Sequence, residues 1–598
     1  MPLVILGISA FYHDSAAVLL IDGEIIAAAQ EERFTRIKHD SSFPQNAVNY
    51  VLQEAGLTYA DITSVAFYDK PLLKFERLLE TYHAFAPKGL LSFVTAIPLW
   101  LKDKLFIKGA LKKRFSIDGK SPALLFPEHH LSHTASAYYP SPYQEAAILT
   151  VDGVGEWATT TICHGRGKEI RILMEQHFPH SVGLLYAAFT YYLGFKINEG
   201  EYKVMGLASY GNPESTEVSN FKEKIKADLV DIRTDGSILL NMKYFEFATE
   251  LKMTNNKRWA ALLSVNKREP DEELNQQHIN LALAIQQVTE EIMISLARTA
   301  KRLTNSDNVV MAGGVALNCV ANSRIQDEGI FKNIWIQPAA GDAGGALGAA
   351  YAAHHIYHDQ EKINSSVDLM KGAYLGPGYD DKSILNTIKK HGALYEHYPD
   401  FTELATTVSE LIADGKVIGW FQGRMEFGPR ALGNRSILGD ARNPLMQSII
   451  NRKIKFREDF RPFAPCVLEE DTHLYFKMNA PSPYMLFVKQ VNDNLLKPHP
   501  PNYWELDMYT RLAYSRSTIP AVTHVDYSAR VQTVNKHINP KLWQLLSAFK
   551  TLTGDGLLVN TSFNVKDEPI VCTPEDAYQD FLKTGLDVLV LGNYLLKK

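Results

Sequence analysis

Three histidines lie close together in the segment PEHHLSHTASAYYP, residues 127–140, of a 598-residue chain that contains only 19 histidines. Residues four apart share one face of an α-helix, so His129 and His133 would project together while His130 points elsewhere. Two imidazoles on one face form half of a metal site if carboxylates lie nearby. An isolated pair of this kind is more often a packing or surface feature. Other parts of the chain must therefore indicate whether the two histidines bind a metal.

A second segment with chemical potential is FQGRMEFGPRALGNRSILGDARNPLMQSIINRKIKFREDFRPFAP, residues 421–465. Between Arg424 and Arg461 it holds seven arginines and two lysines against four acidic residues, in a chain of net charge −5. Guanidinium groups bind phosphate or carboxylate oxygens in a bidentate manner, and glycine lets backbone amides approach them. The alternative is a solvated basic surface, but aromatic residues such as Phe427 and Phe460 interleave with the charges and favour a binding site.

Two glycine-rich turns point to an anion. The sequence DNVVMAGGVALNCVANSRI predicts a buried strand, a turn at Gly313 and Gly314, and a helix from about Val315 whose backbone amides would face the anion. The sequence QPAAGDAGGALGAAYAAHH predicts a second strand-to-helix turn, with Asp342 at its edge. Together the two turns look like the nucleotide site of the actin, sugar-kinase and heat-shock-ATPase superfold.

The elements that would position these residues are repeated along the chain. The first 26 residues predict two strands around the polar bend FYHDS and an Asp-Gly turn into a third strand. The same pattern returns from Ala146, displaced by about 145 residues, as AAILTVDGVGEWATTTICHGRGKEIRIL. We therefore predict two copies of one α/β unit whose polar bends meet across a cleft. A long helix is expected at about 272–303.

A chain of this length should form at least two domains. Periodicity is lost between about His355 and Gly378, where polar residues and glycines gather. We expect a first α/β domain over residues 1–360, a linker over 361–375 and a second α/β domain over 376–598.

Composition excludes several classes of protein. A nearly neutral charge argues against a nucleic-acid binder. The cysteines are scattered without C-x-x-C spacing, which argues against a disulfide framework or a thiolate zinc site and favours a reducing, cytoplasmic location; they are Cys163, Cys319, Cys466 and Cys572. The N-terminus lacks the basic region of a signal peptide. The apolar run 89–100 is too short for a transmembrane helix, and with the basic segment after it we expect a packed helix or a lid sooner than a membrane-surface contact.

Many ordered motifs carry a resemblance to one family. They are FYHDSAA, EERFTRIKHD, HHLSHTASAYY, VDG at 151–153, GEYKVMGLASYG, GGVALN, GDAGGALGAA, GRMEFGPRALGNRSI, FREDFRPFAP and NTSFN. Over nearly its full length the chain resembles the two-domain O-carbamoyltransferases that carbamoylate nodulation factors, cephamycins and tobramycin. The resemblance implies an N-terminal domain similar to tRNA threonylcarbamoyl transferase, with the duplicated actin/sugar-kinase-like fold, and a C-terminal α/β domain similar to YrdC, the enzyme that makes threonylcarbamoyl adenylate.

The resemblance also implies a two-step reaction. The C-terminal domain would form carbamoyl adenylate from carbamoyl phosphate and ATP, with Mg²⁺, and the N-terminal domain would transfer the carbamoyl group to a hydroxyl of a small molecule, a natural product or a glycan. The family's iron-like metal would be held here by His129, His133, Asp152 and Asp342. Such ligands suit Fe²⁺, Zn²⁺ or Mn²⁺, and Fe²⁺ is carried over from the family. His130 would be left as a packing residue or a neighbour of the ligands.

The other expected site residues follow from the same resemblance. His13, Asp14 and Lys38 would face the acceptor, with His13 either the general base or a group that only orients the hydroxyl. Residues expected to hold the adenylate in the N-terminal domain are Gly183, Glu201, Lys203, Gly314 and Asn318. Residues expected to hold carbamoyl phosphate and ATP in the C-terminal domain are Arg424, Arg430, Asn434, Arg435, Arg457, Arg530, Asn560, Ser562 and Asn564.

Three rival functions are less well supported. A metalloprotease would need the motif H-E-x-x-H, but His130 and Leu131 follow His129. A small-molecule kinase of the same superfold would explain the N-terminal cleft and not the arginine-rich second domain. A nucleotide-regulated binding protein would bind ATP without releasing pyrophosphate. We expect no nucleic-acid partner and no transmembrane segment, with a homodimer as one possible assembly; the basic segment 70–115 is a candidate acceptor-side insertion, and the acceptor itself stays open.

Overall fold

The computed structural model describes residues 2–99, 106–116 and 119–598, and the chain divides into two compact units. The first unit comprises Met1–Glu31 and Ser41–Leu369, and the second comprises Glu32–Asp40 and Met370–Lys598. Residues 32–40, which are expected in the N-terminal domain, pack instead with the second unit. Hydrophobic periodicity is a local property and carries no sign of such a long-range exchange.

The first unit opens with a five-stranded sheet of order β3-β2-β1-β4-β5. Strand β2 pairs antiparallel with both β1 and β3, while β4 is parallel to both β1 and β5. Its strands are β1 Val4–Ser9, β2 Ala16–Ile21, β3 Glu24–Gln30, β4 Ser64–Phe67 and β5 Ala123–Leu125. The predicted hairpins are confirmed, and the Asp22-Gly23 turn between β2 and β3 has positive φ at both residues, 49° and 86°, as a type I′ turn requires.

A second sheet repeats this topology, with order β8-β7-β6-β11-β12. Its strands are β6 Glu145–Val151, β7 Ala158–Arg166, β8 Glu169–His177, β11 Asn308–Ala312 and β12 Asn333–Ile336, and β9 Val230–Ile232 and β10 Ile238–Leu240 form a separate ribbon. Strand β7 is antiparallel to β6 and β8, and β11 is parallel to β6 and β12. Two sheets with one strand order confirm the duplicated α/β architecture of the actin and sugar-kinase type.

Helices cover these sheets. They are α2 Gln45–Glu54, α3 Pro71–Phe85, α4 Leu90–Leu99, α5 Ile107–Phe115, α6 His129–Tyr138, α7 Val182–Tyr192, α8 Glu201–Ala208, α9 Thr216–Lys224, α10 Asn256–Leu263, α11 Gln276–Thr304, α12 Cys319–Asp327 and α13 Asp342–Ala352. The predicted long helix is α11, and it begins at Gln276 because the Asn275 side chain accepts a hydrogen bond from the amide of His278.

One predicted helix begins later than expected. We placed its start at about Val315, but a 3-10 turn occupies Gly314–Leu317 and α12 begins at Cys319. The side chain of Asn318 caps α12 by accepting from the amide of Ala321. Because the 3-10 turn precedes α12, the amide of Gly314 is not part of that helix. It donates instead to the side chain of Asp152, just after the end of β6.

The insertion between β4 and β5 is helical. In α5, Ile107, Leu111 and Phe115 are buried while Lys112 and Lys113 are exposed, so this helix packs on the unit by one apolar face. Leu90 and Val94 of α4 are exposed. Trp100 and residues 101–105 of the predicted basic segment lie outside the described residues. Within the described ranges, no helix combines the length and the apolar character needed to cross a bilayer.

The second unit is built on a nine-stranded mixed sheet of order β13-β21-β20-β14-β15-β19-β16-β18-β17. Its strands are β13 Glu396–His397, β14 Ile418–Phe421, β15 Arg435–Gly439, β16 Ala464–Leu468, β17 Phe487–Gln490, β18 Ser528–Val534, β19 Leu557–Ser562, β20 Val588–Leu591 and β21 Tyr594–Lys597. Its helices are α1 Glu32–Thr35, α14 Asp381–Lys390, α15 Phe401–Ala413, α16 Met446–Ile449, α17 Thr472–Tyr475, α18 Met508–Ala513, α19 Pro540–Thr553 and α20 Pro574–Lys583.

Hydrophobic cores lie on both faces of this sheet. Successive residues of β19 alternate between them: Leu558 joins one core and Val559 the other, as the period of two in a strand requires. Helices α15 and α19 cover the face of Leu558, and α14 and α20 cover the face of Val559. Both faces are therefore buried, and the unit is an α/β layer structure.

Candidate functional site

The first unit gathers His129, His133, Asp152 and Asp342 into one buried cluster. Each residue offers one ligand atom, and these atoms all lie within 4.8 Å of one another. Nε2 of His129 lies 3.1 Å from Nε2 of His133 and 3.2 Å from Oδ2 of Asp152. Oδ1 of Asp342 lies 3.6 Å from both Nε2 atoms. These four residues are the ones that the sequence analysis named as metal ligands.

Three elements bring the four side chains together. The histidines occupy the first two turns of α6, Asp152 follows the last residue of β6, and Asp342 opens α13. Helices α6 and α13 touch at Gly348, where a Cβ would lie 1.6 Å from the carbonyl oxygen of Ser132. Gly348 of the segment GDAGGALGAA thus serves close helix packing. The anion-facing turn expected at the start of this segment stays a prediction.

The cluster fits a divalent cation. Metal bonds of roughly 2.1 Å place tetrahedral ligands about 3.4 Å apart. The two Nε2 atoms lie 3.1 Å apart, and their distances to the carboxylate oxygens are 3.2–3.9 Å, which is close to that spacing. Two carboxylates buried together need a compensating positive charge. Burial favours the neutral form of Asp152, but His129 and His133 hold its pKa well below the usual value, so the carboxylate is ionised.

The buried carboxylate of Glu156 orders the start of α6. Its two oxygens accept from the amide of His129 at 3.1 and 3.0 Å, and one of them accepts from the amide of Lys70 at 2.7 Å. A carboxylate at a helix N-terminus satisfies free amides and complements the helix dipole. Glu156 therefore fixes His129 and also the entry to α3. Glu156 is not among the predicted site residues, although it lies four residues after Asp152.

His130 lies off the ligand cluster. Its Nδ1 atom faces Oγ1 of Thr161 at 3.4 Å, and its side chain is buried. Burial and the neighbouring His129 lower its pKa well below the usual value, so it is neutral. This placement is what a helical register with His129 and His133 on one face predicts.

The polar bend after β1 reaches the same cluster. Nε2 of His13 lies 3.7 Å from Oδ2 of Asp342, and Nδ1 lies 3.0 Å from Oδ2 of Asp14. Phe11 and Asp14 both have positive φ, 72° and 52°, so the bend is held in a conformation that non-glycine residues rarely adopt. Burial lowers the pKa of His13, but Asp342 and Asp14 outweigh it and raise the pKa to about 9.

Charged residues at the start of α3 lie beside this bend. Nζ of Lys74 pairs with Asp69 at 2.6 Å and lies 5.2 Å from the ring centroid of Tyr68 and 5.7 Å from that of Tyr12. Arg77 donates to the carbonyl oxygen of Gly155. A hydrogen bond thus connects the insertion that begins with α3 to the loop that follows Asp152. The sequence predicts the insertion but not this contact.

The predicted adenylate residues of the first unit separate into two groups. Gly314 and Gly183 contact Asp152: the amide of Gly314 donates to Oδ1 at 2.7 Å, and a Cβ on Gly183 would lie 2.6 Å from the Asp152 carbonyl oxygen. Asn318 exchanges hydrogen bonds of 3.1 and 3.2 Å with Gln286 of α11. Glu201 and Lys203 lie on α8, where the Glu201 carboxylate accepts from the amide of Asn198.

In the second unit, hydrogen bonds to buried side chains hold the arginine-rich loop between β14 and β15. Oε1 of the buried Glu426 accepts from the amides of Leu432 and Asn434 at 2.7 and 2.9 Å. Arg435 is fully buried, its guanidinium donates to the carbonyl oxygens of Gln422, Gly423, Asn434 and Pro377, and it stacks 3.6 Å from the ring centroid of Phe421. Arg435 therefore holds the loop, whereas we had expected it to hold a substrate.

The remaining candidates of the second unit occupy different environments. Asn434 and Asn560 are buried. The side-chain amide of Asn434 donates to the carbonyl oxygen of Arg424, and that of Asn560 donates to Oε1 of Gln532. Arg424, Arg430, Arg457 and Arg530 are partly exposed, which a ligand-binding role requires. Arg424 donates to the carbonyl oxygen of Leu375 at 2.6 Å. Arg457 bonds to Asn451 through Nε at 2.7 Å and lies 4.8 Å from the ring centroid of Phe463.

Ser562 and Asn564 surround a buried lysine that the sequence analysis missed. Nζ of Lys455 donates to Oδ1 of Asn564 at 2.6 Å and to Oγ of Ser562 at 3.1 Å. Burial and the guanidinium groups of Arg457 and Arg461 hold the pKa of Lys455 well below its usual value. Lys455 gives no distinct sequence signal, because it lies among several arginines and another lysine. Lys38 also belongs to this unit, and not to the unit that contains His13 and Asp14.

Comparison with known proteins identifies the family models that match both units. A model described as carbamoyltransferase N-terminus matches residues 4–351, and one described as carbamoyltransferase C-terminus matches residues 409–598. An uncharacterized protein of Synechocystis is 53% identical, covering 99% of this chain and 96% of that protein. Nodulation protein NolNO of Sinorhizobium fredii is 36% identical, covering 99% of this chain and 80% of that protein.

The chain is also similar to proteins of lower sequence identity. Nodulation protein U of Rhizobium tropici is 28% identical, covering 92% of this chain and 89% of that protein. Among solved structures, full-length HypF in its phosphate- and nucleotide-bound form is 13% identical over 61% of this chain and 56% of that chain, with a TM-score of 0.30. A TM-score this low does not establish a shared fold or a shared ligand.

Proposed function

This chain belongs to the carbamoyltransferase family, and we propose that it is an ATP-dependent O-carbamoyltransferase with carbamoyl phosphate as its donor. The observation that carries the proposal is the buried cluster of His129, His133, Asp152 and Asp342 beside the bend of His13, inside a chain that matches both carbamoyltransferase models. The acceptor is the hydroxyl of a small molecule, a natural product or a glycan.

The first step belongs to the second unit. Carbamoyl phosphate loses inorganic phosphate to water and leaves carbamate, whose oxygen attacks the α-phosphorus of ATP and expels pyrophosphate. One carbamoyl adenylate, one phosphate and one pyrophosphate result. Arg424, Arg430, Arg457 and Arg530 are our candidates for binding the phosphate oxygens, since guanidinium groups stabilise charge that develops on them. Lys455, with Ser562 and Asn564, joins this set, and ATP brings Mg²⁺.

The second step belongs to the first unit. The acceptor oxygen attacks the carbamoyl carbon of the adenylate, the bond from that carbon to the phosphate oxygen breaks, and AMP leaves. A divalent cation held by the four ligands, Fe²⁺ or alternatively Zn²⁺ or Mn²⁺, would polarise the carbonyl and stabilise the leaving phosphate. The amide of Gly314 and the packing at Gly183 keep Asp152 in place for this role.

His13 is our candidate for orienting the acceptor hydroxyl, because its raised pKa favours the protonated ring over the free base near neutral pH. It lies in the strained bend beside Asp342, and Asp14 fixes its ring through Nδ1. Nε2 is thereby directed toward the cluster, where an acceptor hydroxyl would arrive.

Lys74 pairs with Asp69 and lies near Tyr12 of the bend, and Arg77 bonds to Gly155. Both are our candidates for a polar contact with the acceptor substrate. The insertion of α3–α5 is accordingly our candidate for contact with the acceptor.

A separation of the two steps tests the proposal. With ATP and carbamoyl phosphate, the wild-type protein should release pyrophosphate. Arg430→Ala should reduce this release roughly 10- to 150-fold, the effect of losing a charge-assisted hydrogen bond. His133→Ala should leave pyrophosphate release intact and abolish carbamoylated product, with AMP formed by hydrolysis of the adenylate. Mass spectrometry of hydroxylated compounds incubated with the wild-type protein should reveal the acceptor by the gain of one carbamoyl group.

Chemically made carbamoyl adenylate provides the matching control. It should restore product formation to the Arg430→Ala variant and not to the His133→Ala variant. Rescue of the histidine variant, or no pyrophosphate release from the wild-type protein with carbamoyl phosphate, would show that this division of labour is wrong. A small-molecule kinase, the rival from the sequence analysis, would instead produce ADP and a phosphorylated acceptor.

A further inference from the structure

Tyr68 follows the last residue of β4, and its side chain is fully buried. Within the described residues, its hydroxyl has no hydrogen-bond partner. A buried hydroxyl without a partner costs free energy, because it has given up its bonds to water. Such groups are rare in folded proteins, and a catalytic role is one explanation for them.

Three elements of the first unit fix the position of Tyr68. Its amide donates to the carbonyl oxygen of Ile8 on β1 at 3.0 Å, and its carbonyl oxygen accepts from Oγ of Ser132 on α6 at 2.9 Å. On α13, a Cβ at Gly345 would lie 2.8 Å from Cδ2 of the Tyr68 ring, so the glycine makes room for the ring. The ring therefore occupies one defined place between the two helices that carry His129, His133 and Asp342.

This place is beside the ligand cluster. The centroid of the Tyr68 ring lies 5.4 Å from that of His129, with the ring planes 62° apart. Burial, and next the carboxylate of Asp342, raise the pKa of Tyr68 well above its usual value. Asp342 acts more strongly on this hydroxyl than Asp69 or Glu156 does, which indicates that the hydroxyl lies on the side of the cluster. A neutral phenol there can donate one hydrogen bond to a bound ligand.

We propose that the hydroxyl of Tyr68 donates a hydrogen bond to the carbonyl oxygen of the carbamoyl group during its transfer. The identity of this group rests on the proposed function. When the acceptor oxygen attacks the carbamoyl carbon, an electron pair of the C=O bond moves onto the carbonyl oxygen and returns as the bond to the AMP oxygen breaks. The acceptor proton passes to water, and the phenol keeps its own proton. A donor that is already in place stabilises the charge on the carbonyl oxygen.

Two other buried tyrosines provide matched controls. Tyr351, near the other end of α13, also has a buried hydroxyl without a partner in the described part of the chain. Tyr138 uses its hydroxyl for structure, since it donates to the carbonyl oxygens of Gln144 and Gly167 at 2.8 and 3.0 Å. Replacing each tyrosine by phenylalanine therefore separates the effect of a lost structural bond from the effect of a position beside the cluster.

Stability and metal content give the first test. Tyr68→Phe should keep the metal content of the wild type, and its urea midpoint should equal or exceed that of the wild type, because no bond within the protein is lost. Tyr351→Phe should behave in the same way, and Tyr138→Phe should have a lower midpoint. A fall in the midpoint of Tyr68→Phe as large as that of Tyr138→Phe would assign its hydroxyl to structure and overturn the proposal.

Transfer from chemically made carbamoyl adenylate gives the kinetic test in the full-length protein. With the acceptor that mass spectrometry identifies, Tyr68→Phe should lower kcat about 100-fold, as the loss of one oxyanion donor does. Its KM should change little, because the bond strengthens in the transition state. Tyr351→Phe and Tyr138→Phe should keep the wild-type kcat. A wild-type kcat in Tyr68→Phe would also overturn the proposal.

A binding measurement separates this proposal from the proposed function. Bicarbonate shares the planar carbon–oxygen group of a carbamoyl ester and serves as the probe. It should raise the Tm of the zinc-loaded wild-type and Tyr351→Phe proteins, and the rise should be smaller for Tyr68→Phe. No rise in the wild type, or an equal rise in all three proteins, would overturn the proposal. If the wild-type protein does not use carbamoyl adenylate while the bicarbonate effect still depends on Tyr68, the donor at the cluster stands and the proposed reaction fails.

Discussion

The backbone amide of Gly314 donates to Oδ1 of Asp152 at 2.7 Å, while Oδ2 of the same carboxylate lies 3.2 Å from Nε2 of His129. One carboxylate thus connects a glycine turn after β11 with the histidine helix α6. Because the amide holds one oxygen, the other is left oriented toward the ligand cluster. The two features that the sequence analysis treated separately, the histidine pair and the glycine turn, are parts of one site.

Loss of a ligand should remove the metal. His129→Ala and Asp342→Ala each delete one of four ligand atoms, so elemental analysis of the purified proteins should find a loss of about one ion per chain relative to wild type. His130→Gln is the matched control, because His130 faces Thr161 and should keep its metal. Full occupancy in both ligand variants, or metal loss in the control alone, would contradict the assignment.

Gly183 is not a metal ligand, but replacing it should also weaken metal binding. In Gly183→Ala the new Cβ would lie 2.6 Å from the carbonyl oxygen of Asp152 and 2.8 Å from the amide nitrogen of Gly153. Backbone must shift, so we expect metal affinity to fall 10- to 100-fold, as it does when groups that orient ligands are disturbed. Gly341→Ala is the control beside Asp342, where a Cβ meets nothing within 4 Å. Equal metal titration curves for the two variants would refute the argument.

Arg435 should be more important for stability than for binding. Arg435→Ala leaves several buried carbonyl oxygens without their donor and empties the space over Phe421, so we expect a loss of roughly 3–5 kcal/mol in the free energy of unfolding. Urea denaturation followed by tryptophan fluorescence measures this loss. Arg452→Ala, which removes a mostly exposed arginine, should cost about 1 kcal/mol or less. Normal stability of Arg435→Ala with weakened ATP binding would restore the substrate role.

Asp580 should make stability depend on pH in an unusual direction. Burial, and next the neighbouring Glu568, raise its pKa to about 6. Between roughly pH 4 and 6 the folded chain therefore keeps a proton that the unfolded chain has released, so the stabilising contribution of this group is complete below pH 4 and is lost as the pH rises to 6.

Replacement of Asp580 should expose that dependence. Asp580→Asn should be more stable than wild type at pH 7.5 by roughly 1–3 kcal/mol, and the difference should shrink toward pH 4. Urea midpoints across this pH range measure it. Asp231→Asn, which alters an exposed carboxylate, should show no such trend. A difference that is the same at every pH would mean that titration of Asp580 is not its cause.

Local patterns predicted most of the elements in the first unit and few of the contacts in the second. The repeat of strand, polar bend and strand indicated the two sheets because each pattern lies within 30 residues of sequence. The helical spacing of His129 and His133 gave their common face for the same reason. Glu156, Lys455 and the segment Glu32–Asp40 were missed or misplaced, because their roles depend on partners distant in sequence, and Arg435 was assigned to a ligand because charge alone does not reveal burial.

The exchange of Glu32–Asp40 has a consequence for biosynthesis. Arg33 and its partner Gly428 are 395 residues apart, and Arg36 and Ile570 are 534 apart. At a synthesis rate of roughly 5–20 residues per second, Arg36 waits on the order of a minute for its partners to leave the ribosome. Until these partners are synthesised, the segment cannot form the bonds that hold it in the second unit. Contacts this remote in sequence are slow to form, so late docking of nine residues should set the pace at which newly made chains become competent.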